Sequence, residues 1–481
     1  MSVLTRRELL SALAATPLLR QTWQDDTKRA DAPHISLALA RLLNSTRYSD
    51  LQPTVIDRAK MLIASTLASA ASGSLISSVR IVRSLAKDEG GKPEATLWFD
   101  GSKLPLSGAA RVNAMLSDAA ASDDSDLRNV AHTGTTVVST GLAVAEHTGA
   151  TGQDVLCAIA AGYEAAGRIG AALGDNRQGF HASVIVAFGG VVTTAKLLKL
   201  TDEQMAHAIS LVATTMGGLA IGTNSWAREY HAGNAALAAV NAAQAAAHGY
   251  TANEDLLEAP RGFFAVFSGN TANIGNLTRD IGKGSKEWDI VTYMAIKLVP
   301  GAHAFHPSVE AAVNAARQAN VAPDQVARIL VAGSQSRTIV AGQRPKDMVE
   351  AIHSLPYFIA SAVADKDFSW IHARAEKIHN LAVARLMDLV EPDPSPPPVR
   401  YNWSWGGTVT IVTTSGARFT STVDAPRGSG PRGIDWSDVD AKYRALVRDS
   451  SLSTKRIEQT LTLIHRFDEV RRVSELTHLL S

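Results

Sequence analysis

Between residues 34 and 275 the apolar positions recur at helical spacing. Long Ala/Leu/Val-rich segments run from Ile35 to Leu43, Pro53 to Ser72, Gly152 to Leu173, Val184 to Leu200 and Ala232 to His248. Each is predicted to be a helix, and so many small residues let helices approach closely, as in a bundle with several fully buried members. The pairs Gly189-Gly190 and Gly217-Gly218 fit such packing or mark breaks. Phosphate binding is a poor alternative for them, because no Walker or dinucleotide pattern lies in a strand-to-helix context.

After residue 280 the texture changes. Val326 to Ala332 reads as a strand, Lys346 to Ala364 and Lys377 to Val390 as helices, and Pro392 to Pro398 as a linker or turn. Gly407 to Thr413 and Ala417 to Val423 are β-rich runs separated by Thr-Ser-Gly, which predicts a hairpin. Helical periodicity returns at Asp438 to Val447 and Lys455 to Leu480. The expected fold class is mainly α, with a large all-helical domain at 34–280 and a smaller α+β domain at 281–435. The helices of 436–481 rejoin the first domain or cap the second, and residues 1–33 form a separate N-terminal segment.

Charge removes several function classes. The 47 basic and 46 acidic residues leave a formal charge of +1, so neither a nucleic-acid footprint nor a polybasic membrane patch is expected. The single cysteine, Cys157, rules out an intrachain disulfide and a thiolate zinc cluster, and its apolar surroundings predict an inert core thiol. No apolar run reaches the roughly 18 residues of a membrane span. Thr5-Arg6-Arg7-Glu8-Leu9-Leu10 followed by Ser11-Ala-Leu-Ala-Ala resembles a twin-arginine export signal. Its hydrophobic stretch is short and broken by Pro17 and Arg20, and its Ala-x-Ala falls inside that stretch. A cytoplasmic protein with an amphipathic N-terminal helix is therefore favoured over periplasmic export.

Chemistry concentrates in four islands between helical segments. The first holds Asp123, Asp124, Ser125 and His132, in a polar, turn-forming break; the second is Gly179-Phe180-His181. The third is Arg228-Glu229-Tyr230-His231-Ala232-Gly233, and the fourth runs from Lys297 through Pro300 and His303 to His306. Histidines and lysines that converge on a carboxylate-bearing ligand can bind it, tune one another's pKa values and move a proton. Each residue also has a plainer reading. His132 serves equally as a turn residue, His181 as a satisfied residue near a helix start, and Arg228 as the partner of Glu229 or a surface acid. Lys297 follows an apolar run, so its ammonium either snorkels to water or is held at a cleft. A metal at His303 and His306 is not expected, because Pro307 disfavours helix at His306 and a three-residue spacing needs a helix to align both rings. Asp123 and Asp124 point in different directions on any regular element, so they are no ready-made acid/base pair.

In this order the islands resemble the MmgE/PrpD superfamily over nearly the whole length from about residue 34. That family includes 2-methylcitrate dehydratase, cis-aconitate decarboxylase and iminodisuccinate epimerase. Its first motif, Asn-Gly-x-x-x-His-x-x-Asp-Phe-Asp-Asp-Thr followed by His-Pro-Gly, stands here as Asn113 through Ser125 and then His132-Thr133-Gly134. Gly179-Phe180-His181, His231-Ala232-Gly233, Leu257 to Phe264, the Lys297, Pro300 and His306 pattern, and Ser354-Leu-Pro-Tyr357 follow in order. The resemblance implies a helical domain plus a smaller α+β lid domain, a homodimer, a cofactor-free and metal-free active site between the domains, and a small carboxylate substrate. Matching positions imply that His132 is a catalytic acid/base, with His181 as a second proton carrier or donor. They imply further that Lys297 holds a carboxylate, and that Ser125, Asp124, Arg228 and His303 lie at the substrate.

The departures are equally specific. The motif's histidine falls on Asp118, its first aspartate on Ala121 and its threonine on Ser125, and the lysine three residues before His-Ala-Gly falls on Arg228. Arginine keeps the charge but does not give up a proton easily. The expected function is a cofactor-independent lyase acting at the carbon α to a carboxylate, first of all a 2-methylcitrate dehydratase-like hydro-lyase. Epimerisation of a dicarboxylate such as iminodisuccinate comes next, and cis-aconitate decarboxylation follows. A non-catalytic carboxylate-binding protein is the alternative from another class.

Overall fold

The helix Gly152–Leu173 begins where Thr151 and Asp154 cap each other, the Thr151 side chain accepting from Asp154 N while the Asp154 carboxylate accepts from Thr151 N. It is one of the elements in a computed structural model that describes residues 34–174, 176–278, 288–340, 342 and 344–481. The twin-arginine-like segment and the boundary expected near 280 lie outside those residues. The described chain is mainly α.

The Gly152–Leu173 helix is long and apolar enough to cross a membrane, contrary to the expectation from the sequence, yet 94% of its apolar window is buried within the protein. Its hydrophobicity therefore serves the core. Cys157 on this helix is buried, with Sγ 3.4 Å from Thr46 O, and burial pushes its thiol pKa up. The neighbouring helix Ser183–Leu197 is buried on nearly every side. Gly189 makes this possible: a Cβ there would stand 2.8 Å from the carbonyl oxygen of Gly162.

Helices predicted at Ile35, Pro53, Gly152, Val184 and Ala232 form over Ile35–Asn44, Pro53–Gly73, Gly152–Leu173, Ser183–Leu197 and Ala227–Ala247. Three predicted helices are broken instead. Lys346 to Ala364 divides into Met348–Ala351 and Leu355–Asp365, because the Ser354 side chain caps a new helix at Tyr357 N and Pro356 fits its first turn. Lys377 to Val390 divides into Ala375–Ile378 and Leu381–Met387, with Asn380 accepting from Ala382 N and Val383 N. Lys455 to Leu480 becomes Thr454–His465 and Ser474–Leu479. In the first two cases a local cap outweighs continuous periodicity.

The first region is not purely helical. Strands β1 (Ala95–Thr96) and β2 (Lys103–Leu104) pair antiparallel. Strand β3 (Asp124–Asp126) pairs antiparallel with β4 (Met294–Ile296), so the expected loop after Ala119 contains a buried strand. Further along, β5 (Val326–Gly333), β6 (Val390–Pro392), β7 (Gly407–Thr413) and β8 (Arg418–Val423) form one sheet in the order β6-β5-β7-β8. The hairpin of β7 and β8 is antiparallel, as the Thr-Ser-Gly turn predicts. Val409 and Ile411 of β7 share a core cluster with Val309, Ala312 and Ala316 of the helix His306–Ala319. The C-terminal helices belong to a different core: Val439, Tyr443, Leu446 and Ile464 cluster with Val55, Ala59 and Leu62 of the helix Pro53–Gly73.

Candidate active site

The helix Leu106–Ala119 ends in a tight turn in which Ala121 N donates to Asp118 O at 2.9 Å and Ala121 takes a left-handed φ of 47°. A non-glycine residue rarely adopts that conformation unless its surroundings hold it there. Here Gly301 N donates to Ala121 O at 3.2 Å, and Lys297 N donates to Asp123 O at 3.0 Å. The β3–β4 register places Asp124 opposite Ile296 and so sets Asp123 beside Lys297.

Asp123 is fully buried and faces two nitrogen partners. Lys297 Nζ lies 2.7 Å from its Oδ1, and His132 Nδ1 lies 2.8 Å from its Oδ2. Burial alone would raise the Asp123 pKa, but His132 and Lys297 together hold it well below the usual carboxylate range. His132 Nδ1 is also 2.8 Å from Asp124 O and 3.4 Å from Ser125 Oγ. Facing a carboxylate and a carbonyl, Nδ1 carries the ring proton, and this leaves Nε2 as the basic nitrogen of the neutral ring.

Asp124 faces the opposite way, as strand alternation requires. Its carboxylate accepts from the Tyr163 hydroxyl at 2.7 Å and from Gly134 N at 3.0 Å, at the start of the helix Thr133–Thr148. Burial and the neighbouring Asp123 raise its pKa to about 6, against the hydrogen bond from Tyr163. The geometry makes it a support for the His132 helix.

The other predicted residues lie around this centre. His181 Nδ1 accepts from Ser183 N at 3.2 Å, which leaves Nε2–H as a donor, and its ring lies 5.3 Å from that of His231. Burial first, and then the charges of His132, His231 and Arg228, lower its pKa to about 3. Arg228 is buried: Nε stands 3.2 Å from Asp118 Oδ2, and Nη2 donates to Asp118 O at 2.7 Å and Ala119 O at 3.0 Å. Its partner is thus Asp118 rather than the adjacent Glu229, which bonds Ser78. Arg228 Nη1 faces His353 Nε2 at 3.5 Å, while His353 Nδ1 donates to Val349 O at 2.9 Å.

His303 and His306 correct an expectation. The helix starts at His306, because Pro307 in a first turn lacks only an N–H that needs no partner there. The two rings consequently sit 4.6 Å apart, with Trp405 5.5 Å from His303. Both ring nitrogens of His303 and Nε2 of His306 are buried without a hydrogen-bond partner among the described residues. Burial drives both pKa values down, that of His306 to about 3.

Sequence reasoning did not select Asp123 as the hub, nor Asp118, His353 or Lys442 as site residues. Lys442 is fully buried on the helix Trp436–Val447, its ammonium donating to Ser65 Oγ at 2.7 Å and to the carbonyl of Ser122. The signal for it was present, since it lies on the apolar stripe of Val439, Tyr443 and Leu446. Donor atoms of Asp118, Asp123 and His132 converge within 4.8 Å of one another, a spacing that suits a cation. Lys297 and Arg228 already face the two carboxylates, so the acids are matched by protein cations. A cleft of about 710 Å³ borders the turn at Ala120, Ser122 and Pro300.

Comparison with known proteins places these elements in a wider set. Residues 37–274 match the MmgE/PrpD N-terminal domain and residues 300–466 the MmgE/PrpD C-terminal domain. The chain is 23% identical to cis-aconitate decarboxylase of Homo sapiens, covering 93% of this chain and 94% of that protein. It is 25% identical to cis-aconitate decarboxylase of Aspergillus terreus, covering 90% and 93% respectively.

Proposed function

The chain belongs to the MmgE/PrpD family, and from that premise we propose that it is a cofactor-independent lyase acting at the carbon α to a carboxylate of a small di- or tricarboxylate. The observation that carries this reading is Asp123 holding His132 on one carboxylate oxygen and Lys297 on the other. A proton on such a carbon is weakly acidic, and its removal needs a positioned base and donors for the developing negative charge.

His132 Nε2 takes the proton, while Asp123 fixes the tautomer and supports the imidazolium that forms. Lys297 has N–H donors beyond the one used by Asp123, and these receive the substrate carboxylate as charge builds on it. Ser125 and His303 hydrogen-bond the substrate, and His181 offers Nε2–H as donor or second proton carrier. Arg228 contributes its Nη1 edge, and Asp124 acts from behind by holding the helix after His132. In a dehydration the α C–H and the adjacent C–O bonds break, a C=C bond forms, and the proton taken by His132 leaves with the hydroxyl as water.

Decarboxylation is the second reading, favoured by the names of the relatives above. There the C–C bond to a carboxylate breaks, its electron pair stays on carbon, carbon dioxide leaves, and protonated His132 delivers the proton. Proton NMR in D₂O with 2-methylcitrate, citrate, cis-aconitate and iminodisuccinate separates water loss, carbon dioxide loss and α-deuteration with inversion. His132→Ala should lower the observed turnover by about 10²-fold or more. Unchanged turnover would remove His132 from the mechanism, and tight binding without exchange would identify a carboxylate-binding protein instead.

A further inference from the structure

Asp118 stands beside Asp123, His132 and Arg228 and takes no part in the proton transfer just described. It is 2% exposed, and its donor atom joins those of Asp123 and His132 within 4.8 Å. Its Oδ2 stands 3.2 Å from Arg228 Nε without the alignment of a hydrogen bond, so this oxygen is buried and has no hydrogen-bond donor among the described residues. Arg228 is held in place independently of that carboxylate, because Nη2 donates to the carbonyls of Asp118 and Ala119.

These contacts settle how charge is distributed in the site. Lys297 is matched by Asp123 and Arg228 by Asp118. Buried ions interact strongly, so an acid beside a guanidinium cancels much of its attraction for an anion. An acceptor oxygen without a donor favours a ligand group that brings one. We propose that Asp118 is a specificity-determining residue that cancels the charge of Arg228 and accepts a hydrogen bond from the substrate, so that the site takes a dicarboxylate bearing a hydroxyl or amino group and disfavours a third carboxylate. This rests on the carboxylate-binding part of the reading above and narrows it, because it sets 2-methylcitrate, citrate and cis-aconitate, each with three carboxylates, among the disfavoured ligands.

The test is calorimetric binding of L-malate, succinate and tricarballylate to the full-length protein and to Asp118→Asn. Malate and succinate differ by one hydroxyl, and tricarballylate adds a third carboxylate. The unmodified protein should bind malate at least several-fold more tightly than succinate, and tricarballylate most weakly. Asp118→Asn should tighten tricarballylate binding about 10-fold by freeing the charge of Arg228, while Asp118→Glu should keep the exclusion. Equal or tighter binding of tricarballylate than malate by the unmodified protein overturns the proposal, and so does unchanged tricarballylate affinity in a folded Asp118→Asn. The first of these comparisons needs no variant to fold. Discrimination without turnover of any substrate would sink the lyase reading and leave this one standing.

Discussion

Lys297 Nζ lies 2.7 Å from Oδ1 of Asp123, a contact between residues 174 positions apart that depends on the pairing of β3 with β4. The same carboxylate sets its other oxygen 2.8 Å from His132 Nδ1, which donates to Asp124 O. One buried acid therefore sets both the base and the cation, and neither can shift without disturbing the other. Asp123→Asn keeps the shape but gives Lys297 no counter-charge and allows an amide N–H to face His132 Nδ1. Turnover should fall by about 10²-fold or more, the scale of a general acid/base group. Because the residues act as a unit, Asp123→Asn combined with His132→Ala should be hardly slower than His132→Ala alone. Fully multiplicative losses in kcat would show that Asp123 acts independently of His132.

Gly189 sets how closely the core helices approach. A Cβ at this position meets Val137 Cγ2 at 2.7 Å as well as the Gly162 carbonyl oxygen at 2.8 Å. The latter belongs to helix backbone and cannot rotate away. Gly189→Ala should destabilise the protein by about 1–3 kcal/mol through overpacking, even though alanine is the better helix former. Urea midpoints of the two proteins measure this, and a higher midpoint for the variant would mean that the helices separate freely.

The helical architecture was legible because long apolar segments carry their own period, and the starts at Ile35, Pro53 and Gly152 fall where the pattern puts them. The breaks at Ser354 and Asn380 were harder to see, since a single side-chain cap redirects a chain whose apolar pattern runs on. The short strand at Asp124 was hidden because its partner lies far along the sequence and its own residues are polar. In the site, His132 and Lys297 stood out by type and position. Asp118 and Lys442 did not, because their roles arise from tertiary neighbours: Arg228 for one, and Ser65 with the Ser122 carbonyl for the other.

Lys442 carries a pH signature. Burial pushes its ammonium down to about 7, against the pull of Asp123 in the opposite direction. In the unfolded chain a lysine titrates near 10.4. Between about pH 7 and 10 the unfolded state thus holds a proton that the folded state lacks, so stability rises with pH across this window, by at most roughly 1.4 kcal/mol per pH unit. Below pH 7 the full cost of burying the charge applies. Lys442→Met removes that titration but leaves Ser65 Oγ and the Ser122 carbonyl without the ammonium, a loss of about 1–3 kcal/mol. Urea midpoints at pH 6, 8 and 10 should therefore rise more steeply for the unmodified protein than for Lys442→Met. At pH 10, where the lysine is neutral and still donates, the unmodified protein should be the more stable, and at pH 6, where it carries the full cost of the buried charge, Lys442→Met should match or exceed it. Parallel midpoints across the window would show that Lys442 keeps its ordinary titration, with the cost of its burial relieved by groups around the turn. The carbonyl it holds precedes Asp123, so the variant should also lose turnover through a displaced carboxylate, a loss that lowering or raising the pH does not restore.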